Sequence, residues 1–86
     1  MAGDLSSQIN IGKTTENQLV QVGIDTMDKL ISTGSEGAFL KIRTIDPGAC
    51  LSLLYALEGA IMGIRWHEIP SGRKQELKQF FNLASR

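Results

Sequence analysis

Apolar residues recur along the chain at the three- and four-residue spacing of amphipathic helices. Met27, Leu30 and Ile31 occupy positions i, i+3 and i+4, and residues 77–84 repeat the pattern near the end of the chain. Such a period places apolar side chains on one face of a helix. No segment alternates apolar and polar residues regularly enough to predict a strand. The pattern therefore predicts an all-α fold.

Glycine and proline residues divide this pattern into short blocks. Both residue types interrupt helices, glycine through its backbone freedom and proline through its missing N–H. We predict a single domain over residues 1–86, built as a compact bundle of five or six short helices. The predicted helices cover residues 5–9, residues 14–22, a segment that Thr26 caps before Gly34, a segment from Ser35 to Pro47, residues 51–62, and a final segment that Ser71 caps.

Residues 51–62 are apolar on nearly every side, which is typical of a helix at the centre of a fold. Glu58 is the exception, and a carboxylate in such a place needs partners. Arg65 and the indole N–H of Trp66 follow the helix closely and could supply them. We expect Glu58, Arg65 and Trp66 to form a structural clamp on the turn after the helix, rather than a ligand site.

The charges of the chain cancel, with nine basic and nine acidic side chains. Residues 1–36 carry two basic and five acidic groups, and residues 37–86 carry seven and four. This weak tilt creates no strong field for a polyanion. Cys50 is the only cysteine, so no intramolecular disulfide can form. With no signal-peptide pattern and no apolar segment long enough to span a bilayer, we expect a cytoplasmic protein without membrane association.

The segment Asn10-Ile11-Gly12-Lys13 is the main candidate for a functional site. Asn and Gly both tolerate positive φ, which suits a tight turn before a helix. In a helix-hairpin-helix motif, such a turn presents free backbone N–H groups and the helix dipole to a phosphate. Lys13 would add charge, and Lys41 and Arg43 would assist. The same turn also fits a plain corner between two helices, in which Gly12 is needed only for its backbone angles.

Two longer segments resemble a known family. NIGKTTENQLVQVGIDTMDKL resembles the start of the C-terminal domain of the TfoX (Sxy) competence-regulator family, and SLLYALEGAIMGIRWHEIP resembles the leucine-rich second signature of that family. Together they cover about residues 5–83. Full family members carry an additional N-terminal domain, which we do not expect here. The resemblance implies a helix-hairpin-helix-related bundle without known catalytic chemistry, in a regulatory role.

The hairpin departs from the pattern of many helix-hairpin-helix turns, which read Gly-apolar-Gly. Asn10 takes the first glycine position, and Thr14 and Glu16 stand where a basic residue and an alanine are frequent. These changes remove a positive charge and add a negative one beside the turn. They favour retention of the hairpin fold over retention of DNA binding.

Other residues are secondary candidates. The basic face of the final helix would add phosphate contacts if it lies near the hairpin; its members are Arg73, Lys74 and Lys78. Three aromatic side chains could stack on bases, as in single-strand binders; they are Phe39, Tyr55 and Trp66. Cys50 and His67 have no sequence context that indicates a catalytic pair or a metal site. We therefore expect a non-enzymatic domain with no metal or cofactor.

Two functions remain open. The first is weak, sequence-independent binding of nucleic acid, with duplex DNA held through phosphate contacts at the hairpin. The second is a protein-interaction module that binds a protein partner or a second copy of itself through Trp66 and the region of Tyr55. The neutral net charge favours the second function, and the hairpin favours the first.

Overall fold

Helices account for all the regular structure in the part of the chain that the computed structural model describes, Leu5 and residues 8–85. The all-α prediction is confirmed, and the described residues contain four α-helices, fewer than the five or six expected for the whole chain. The predicted opening helix over residues 5–9 includes positions outside the described residues. The elements are α1 (Lys13–Gln21), α2 (Met27–Arg43), α3 (Leu51–Met62), a 3-10 turn (Trp66–Glu68) and α4 (Ser71–Ala84).

The second helix is interrupted at the glycine where the sequence predicted a break. Gly34 has φ +83° and ψ 159°, a conformation that side-chain-bearing residues rarely adopt. The helical segments on either side of it follow each other so closely that they form one kinked element. Thr26 caps its start as predicted, because its hydroxyl oxygen accepts a 3.1 Å hydrogen bond from the Lys29 amide. The predicted Ser71 cap is one residue late, since Pro70 occupies the N-cap position of α4.

The third helix lies at the centre of the described fold, as its apolar sequence predicted. It packs against α2, α4 and the 3-10 turn. Phe39 of α2 is fully buried, and its ring lies 5.8 Å from that of Phe81 on α4. Other fully buried side chains of the core are Leu5, Leu19, Leu30, Ile42, Leu54, Leu57 and Leu77. Every helix in the described residues is too short or too polar to cross a membrane.

Candidate nucleic-acid interface

The predicted hairpin turn forms immediately before α1. Asn10 has φ +70°, the left-handed conformation that glycine takes most easily and that asparagine also tolerates. Ile11 is buried in the core, and Gly12 is the N-cap residue of α1. Asn10 therefore supplies the backbone geometry for which other hairpins use their first glycine.

The side chain of Asn10 ties this turn to the loop that follows α3. Its Nδ2 donates a 2.9 Å hydrogen bond to the carbonyl oxygen of Ile64, and its Oδ1 accepts a longer, 3.4 Å bond from the Trp66 amide. Gly59 makes this approach possible, because a Cβ at that position would lie 2.5 Å from Asn10 Nδ2 and 2.8 Å from the Ile64 oxygen. Ile64 and Trp66 are the chain neighbours of Arg65, so these two bonds hold the hairpin directly beside Arg65.

The first helix presents unsatisfied backbone donors at the hairpin. The amides of Lys13, Thr14 and Thr15 donate to no residue that the structure describes, and no side chain caps the helix. Gly12 is exposed, and a Cβ built on it would meet no atom within 4 Å. Free donors at an accessible helix N-terminus can hold an anion. Glu16 lies in the first turn of the same helix and is only 5% exposed, so its negative charge stays close to this site.

An aromatic pair lies beside the loop that Asn10 holds. The rings of Tyr55 and Trp66 are parallel to within 2°, with centroids 6.3 Å apart, and Trp66 is 48% exposed. The His67 ring is perpendicular to that of Trp66, with centroids 5.8 Å apart. Lys74 of α4 places its Nζ 5.9 Å from the Tyr55 centroid and 5.3 Å from the Trp66 centroid, within reach of cation–π attraction.

The hairpin, Arg65, the aromatic pair and Lys74 therefore form one continuous surface, which we call the hairpin face. None of its three cationic side chains, Lys13, Arg65 and Lys74, forms an ion pair with a described residue. Lys74 Nζ instead donates to the carbonyl oxygen of His67 at 3.3 Å. Lys78 lines a cleft next to Tyr55 and Lys74, so it adds a fourth positive charge at the edge.

Lys41 and Arg43 were predicted to assist the hairpin in binding phosphate, but their described contacts lie elsewhere. Lys41 lines a cleft at the connection between α1 and α2. The Arg43 guanidinium packs over the rings of Phe39 and Phe81 and donates a 3.0 Å hydrogen bond to the Ser85 hydroxyl. The structure therefore brings Arg65 and Lys74 to the hairpin, and gives Lys41 and Arg43 different surroundings.

Glu58 has other partners than the predicted Arg65 and Trp66. Arg73 of α4 donates to Glu58 Oε2 from Nε at 3.0 Å and to Oε1 from Nη2 at 3.2 Å. The Ser35 hydroxyl donates to Oε1 at 2.7 Å. The clamp thus joins α2, α3 and α4, because Glu58 lies on α3 and its carboxylate faces the other two helices. The loop that follows α3 is held by Asn10 instead. Sequence spacing favoured the nearer Arg65, and only the packing of α4 shows that Arg73 reaches the carboxylate.

Electrostatics at this clamp keep the carboxylate ionised. Burial raises the pKa of Glu58, but the hydrogen bonds from Arg73 and Ser35 and the charge of Arg73 outweigh it and hold the pKa below its ordinary value. The hydrogen bond to Glu58 raises the pKa of Arg73 in turn, with Glu76 adding to the effect against partial burial. The guanidinium of Arg73 is thus occupied by Glu58 and Glu76. Of the predicted basic face, only Lys74 and Lys78 remain for a ligand.

Cys50 and His67 share no contact among the described residues. Cys50 is exposed at the N-cap of α3, where the amide of Leu53 lowers the pKa of its thiol more than partial burial raises it. His67 belongs to the 3-10 turn and packs against Trp66. Within the described ranges, no three His, Cys, Asp or Glu side chains are grouped closely enough to hold a metal ion.

The fold and this surface define a small helical domain with a hairpin at the start of its first described helix. The chain matches the TfoX C-terminal domain over residues 1–81, and it belongs to that family. The resemblance found in the sequence is thereby confirmed. A comparison with curated proteins gave no match.

Two solved structures from Listeria monocytogenes are similar to this chain. One, an uncharacterized protein in a triclinic form, is 48% identical with a TM-score of 0.92, over 93% of this chain and 91% of that one. The other, a protein of unknown function in a tetragonal form, is 46% identical with a TM-score of 0.90, over 95% of this chain and 100% of that one. These likenesses support the fold and the family, and they name no ligand.

Proposed function

We propose that this domain binds nucleic acid weakly and without sequence preference, through phosphate contacts at the hairpin face. The observation that supports this most is the pair of hydrogen bonds from Asn10 to Ile64 and Trp66. They place the free amides at the start of α1 beside a loop that carries Arg65 and is covered by Lys74. A phosphate at the helix N-terminus would then have backbone donors and flexible cations around it.

The strength of binding follows from the number of available charges. Lys13, Arg65, Lys74 and Lys78 can neutralise about two to four phosphates, which predicts a log–log salt slope of roughly −2 to −4. A protein of zero net charge adds no long-range attraction to these contacts. Binding should therefore be measurable at low salt and much weaker near physiological salt. We propose a non-enzymatic, regulatory role in the cytoplasm, where the lone Cys50 would stay reduced.

The test is fluorescence anisotropy of a labelled duplex, titrated at low and near-physiological salt with the wild type and Lys13→Glu. Lys41→Glu is the matched control, because it makes the same charge change on an exposed residue beside the α1–α2 connection. The proposal expects salt-sensitive binding that Lys13→Glu abolishes and Lys41→Glu largely retains. An equal loss in both variants would mean that overall charge, rather than the hairpin, controls binding.

A second candidate function is a protein-interaction module. It is favoured by the half-exposed ring of Trp66, since aromatic side chains often anchor protein interfaces, and by the neutral charge of the chain. Absence of binding to any nucleic acid at low salt would favour this function. Sedimentation of the wild type and Trp66→Ala over a range of protein concentrations would then test self-association.

A further inference from the structure

A cleft of about 460 Å³ opens beside the exposed ring of Trp66. Its other walls are Asn10 and two small side chains of α3, Ser52 and Ala56. Ser52 and Ala56 are four residues apart and so lie one above the other on the helix. Small side chains there leave space next to the indole, and the volume is within the range of small-molecule sites. A flat group can therefore enter beside Trp66.

The indole is held in a fixed orientation although it is exposed. Tyr55 lies parallel to it, the His67 ring is perpendicular to it with centroids 5.8 Å apart, and Lys74 lies 5.3 Å from its centroid. The hydrogen bond from the Trp66 amide to Asn10 fixes the backbone as well. A ring that is ordered before binding loses little conformational entropy when a ligand stacks on it.

The charges around this ring indicate which ligand fits. Arg65 precedes Trp66 in the chain, Lys74 lies over the ring, and the free amides of α1 are joined to the same loop through Asn10. A ligand that satisfies all of these groups must carry flat rings and closely spaced negative charges. Single-stranded nucleic acid has both, whereas a duplex keeps the faces of its bases inside the stack.

We propose that Trp66 is a stacking platform for an unpaired base, so that the hairpin face binds single-stranded nucleic acid in preference to duplex. This rests on the proposed function, since the same cations hold the backbone of the strand. The base enters the cleft between Trp66 and the small residues of α3. The neighbouring phosphates contact Arg65, Lys74 and the start of α1.

The chain offers a direct probe, because Trp66 is its only tryptophan. The full chain is titrated with three labelled ligands of about twelve nucleotides, a length within known single-strand site sizes. These are oligothymidine, its duplex with oligoadenosine, and an abasic strand with the same phosphates. Anisotropy of the label reports binding, and the intrinsic fluorescence of the protein reports stacking. We expect oligothymidine to bind at least about fivefold more tightly than the abasic strand, and to quench Trp66.

Two substitutions separate stacking from folding. Trp66→Ala should weaken oligothymidine binding by about five- to a hundredfold and leave binding of the abasic strand unchanged, while Trp66→Phe should recover part of the loss. Leu83→Ala is the matched control, because Leu83 is an exposed apolar residue at the other end of α4 from Lys74. It should bind all three ligands like the wild type.

The outcomes distinguish this inference from the proposed function. Equal binding of all three ligands, lost in Lys13→Glu but not in Trp66→Ala, would overturn base stacking and leave phosphate binding intact. Tighter binding of the duplex than of oligothymidine would overturn it too. Lack of binding to every ligand at low salt would overturn both and favour a protein partner.

Discussion

Arg73 of α4 holds the carboxylate of Glu58 on α3 with two hydrogen bonds, of 3.0 and 3.2 Å. Because the Glu58 side chain is only 13% exposed, this pair is shielded from water more than an ordinary surface ion pair. The Ser35 hydroxyl adds a bond from α2 at 2.7 Å. One carboxylate therefore links three helices.

We predict that Glu58 and Arg73 are energetically coupled. Glu58→Ala and Arg73→Ala should each lower the free energy of unfolding by about 1–3 kcal/mol. Arg73→Ala leaves the partly buried carboxylate with only the Ser35 bond, and Glu58→Ala removes two hydrogen bonds of Arg73, which keeps its exposed pairs with Glu36 and Glu76. The double variant should lose less than the sum by about 1 kcal/mol or more. Urea denaturation of the four proteins measures this coupling.

The control for this cycle is Glu76→Ala. Glu76 also pairs with Arg73, at 3.0 Å, but its side chain is 67% exposed, so its removal should cost at most about 1 kcal/mol. Strict additivity of the Glu58 and Arg73 substitutions would show that the pair contributes no interaction energy of its own.

The same carboxylate predicts a pH dependence of stability. The pKa of Glu58 is lowered in the folded protein, whereas in the unfolded chain it returns to its ordinary value near 4.5. The stabilisation is therefore complete above about pH 4.5 and is lost as the pH falls through the lower folded value. We expect the wild type to be more stable than Glu58→Gln at pH 7, and the difference to shrink on acidification. Thermal unfolding of both proteins between pH 7 and pH 3 checks this, and a constant difference would contradict it.

The close contact between Gly59 and Asn10 gives a steric prediction. Gly59→Ala puts a Cβ 2.5 Å from Asn10 Nδ2 and 2.8 Å from the backbone oxygen of Ile64, which is less able to move. We expect a loss of about 1–3 kcal/mol in the free energy of unfolding, since the hairpin must shift away from α3.

Gly72→Ala is the control, because a Cβ there meets no atom within 4 Å and α4 should gain up to about 1 kcal/mol of helix propensity. Chemical denaturation should give opposite signs for the two variants, and a stable Gly59→Ala would contradict the contact.

The features that depend on local sequence were predictable. Helical periodicity and the positions of Thr26 and Gly34 indicated where α2 begins and where it breaks, because capping and backbone angles act within a few residues. The central place of α3 followed from its apolar composition. The number of helices was less predictable, since the two parts of α2 run on closely enough to count as one kinked element.

The composition of the candidate site depended on distant residues. Asn10 and Trp66 are 56 positions apart, and nothing in their local sequence indicates that they are bonded. Arg73 and Lys74 are adjacent, yet one pairs with Glu58 inside the bundle and the other lies over Trp66. Helical rotation of about 100° per residue separates their directions, and only the packing of α4 on α3 decides which one becomes part of the surface.

The tether itself gives the last prediction. Asn10→Gly keeps the left-handed backbone but removes both hydrogen bonds to the loop, so we expect a loss of about 1–2 kcal/mol. Asn10→Ala loses the same bonds and adds the strain of φ +70° on a residue with a Cβ, so it should be less stable than Asn10→Gly by about 1 kcal/mol. Urea denaturation ranks the three proteins. Trp66 emission, at a position more than fifty residues away, should change in both variants because its loop is released. If both variants matched the wild type in stability and emission, the hairpin and the Trp66 loop would be held together by other contacts, and the hairpin face would not depend on Asn10.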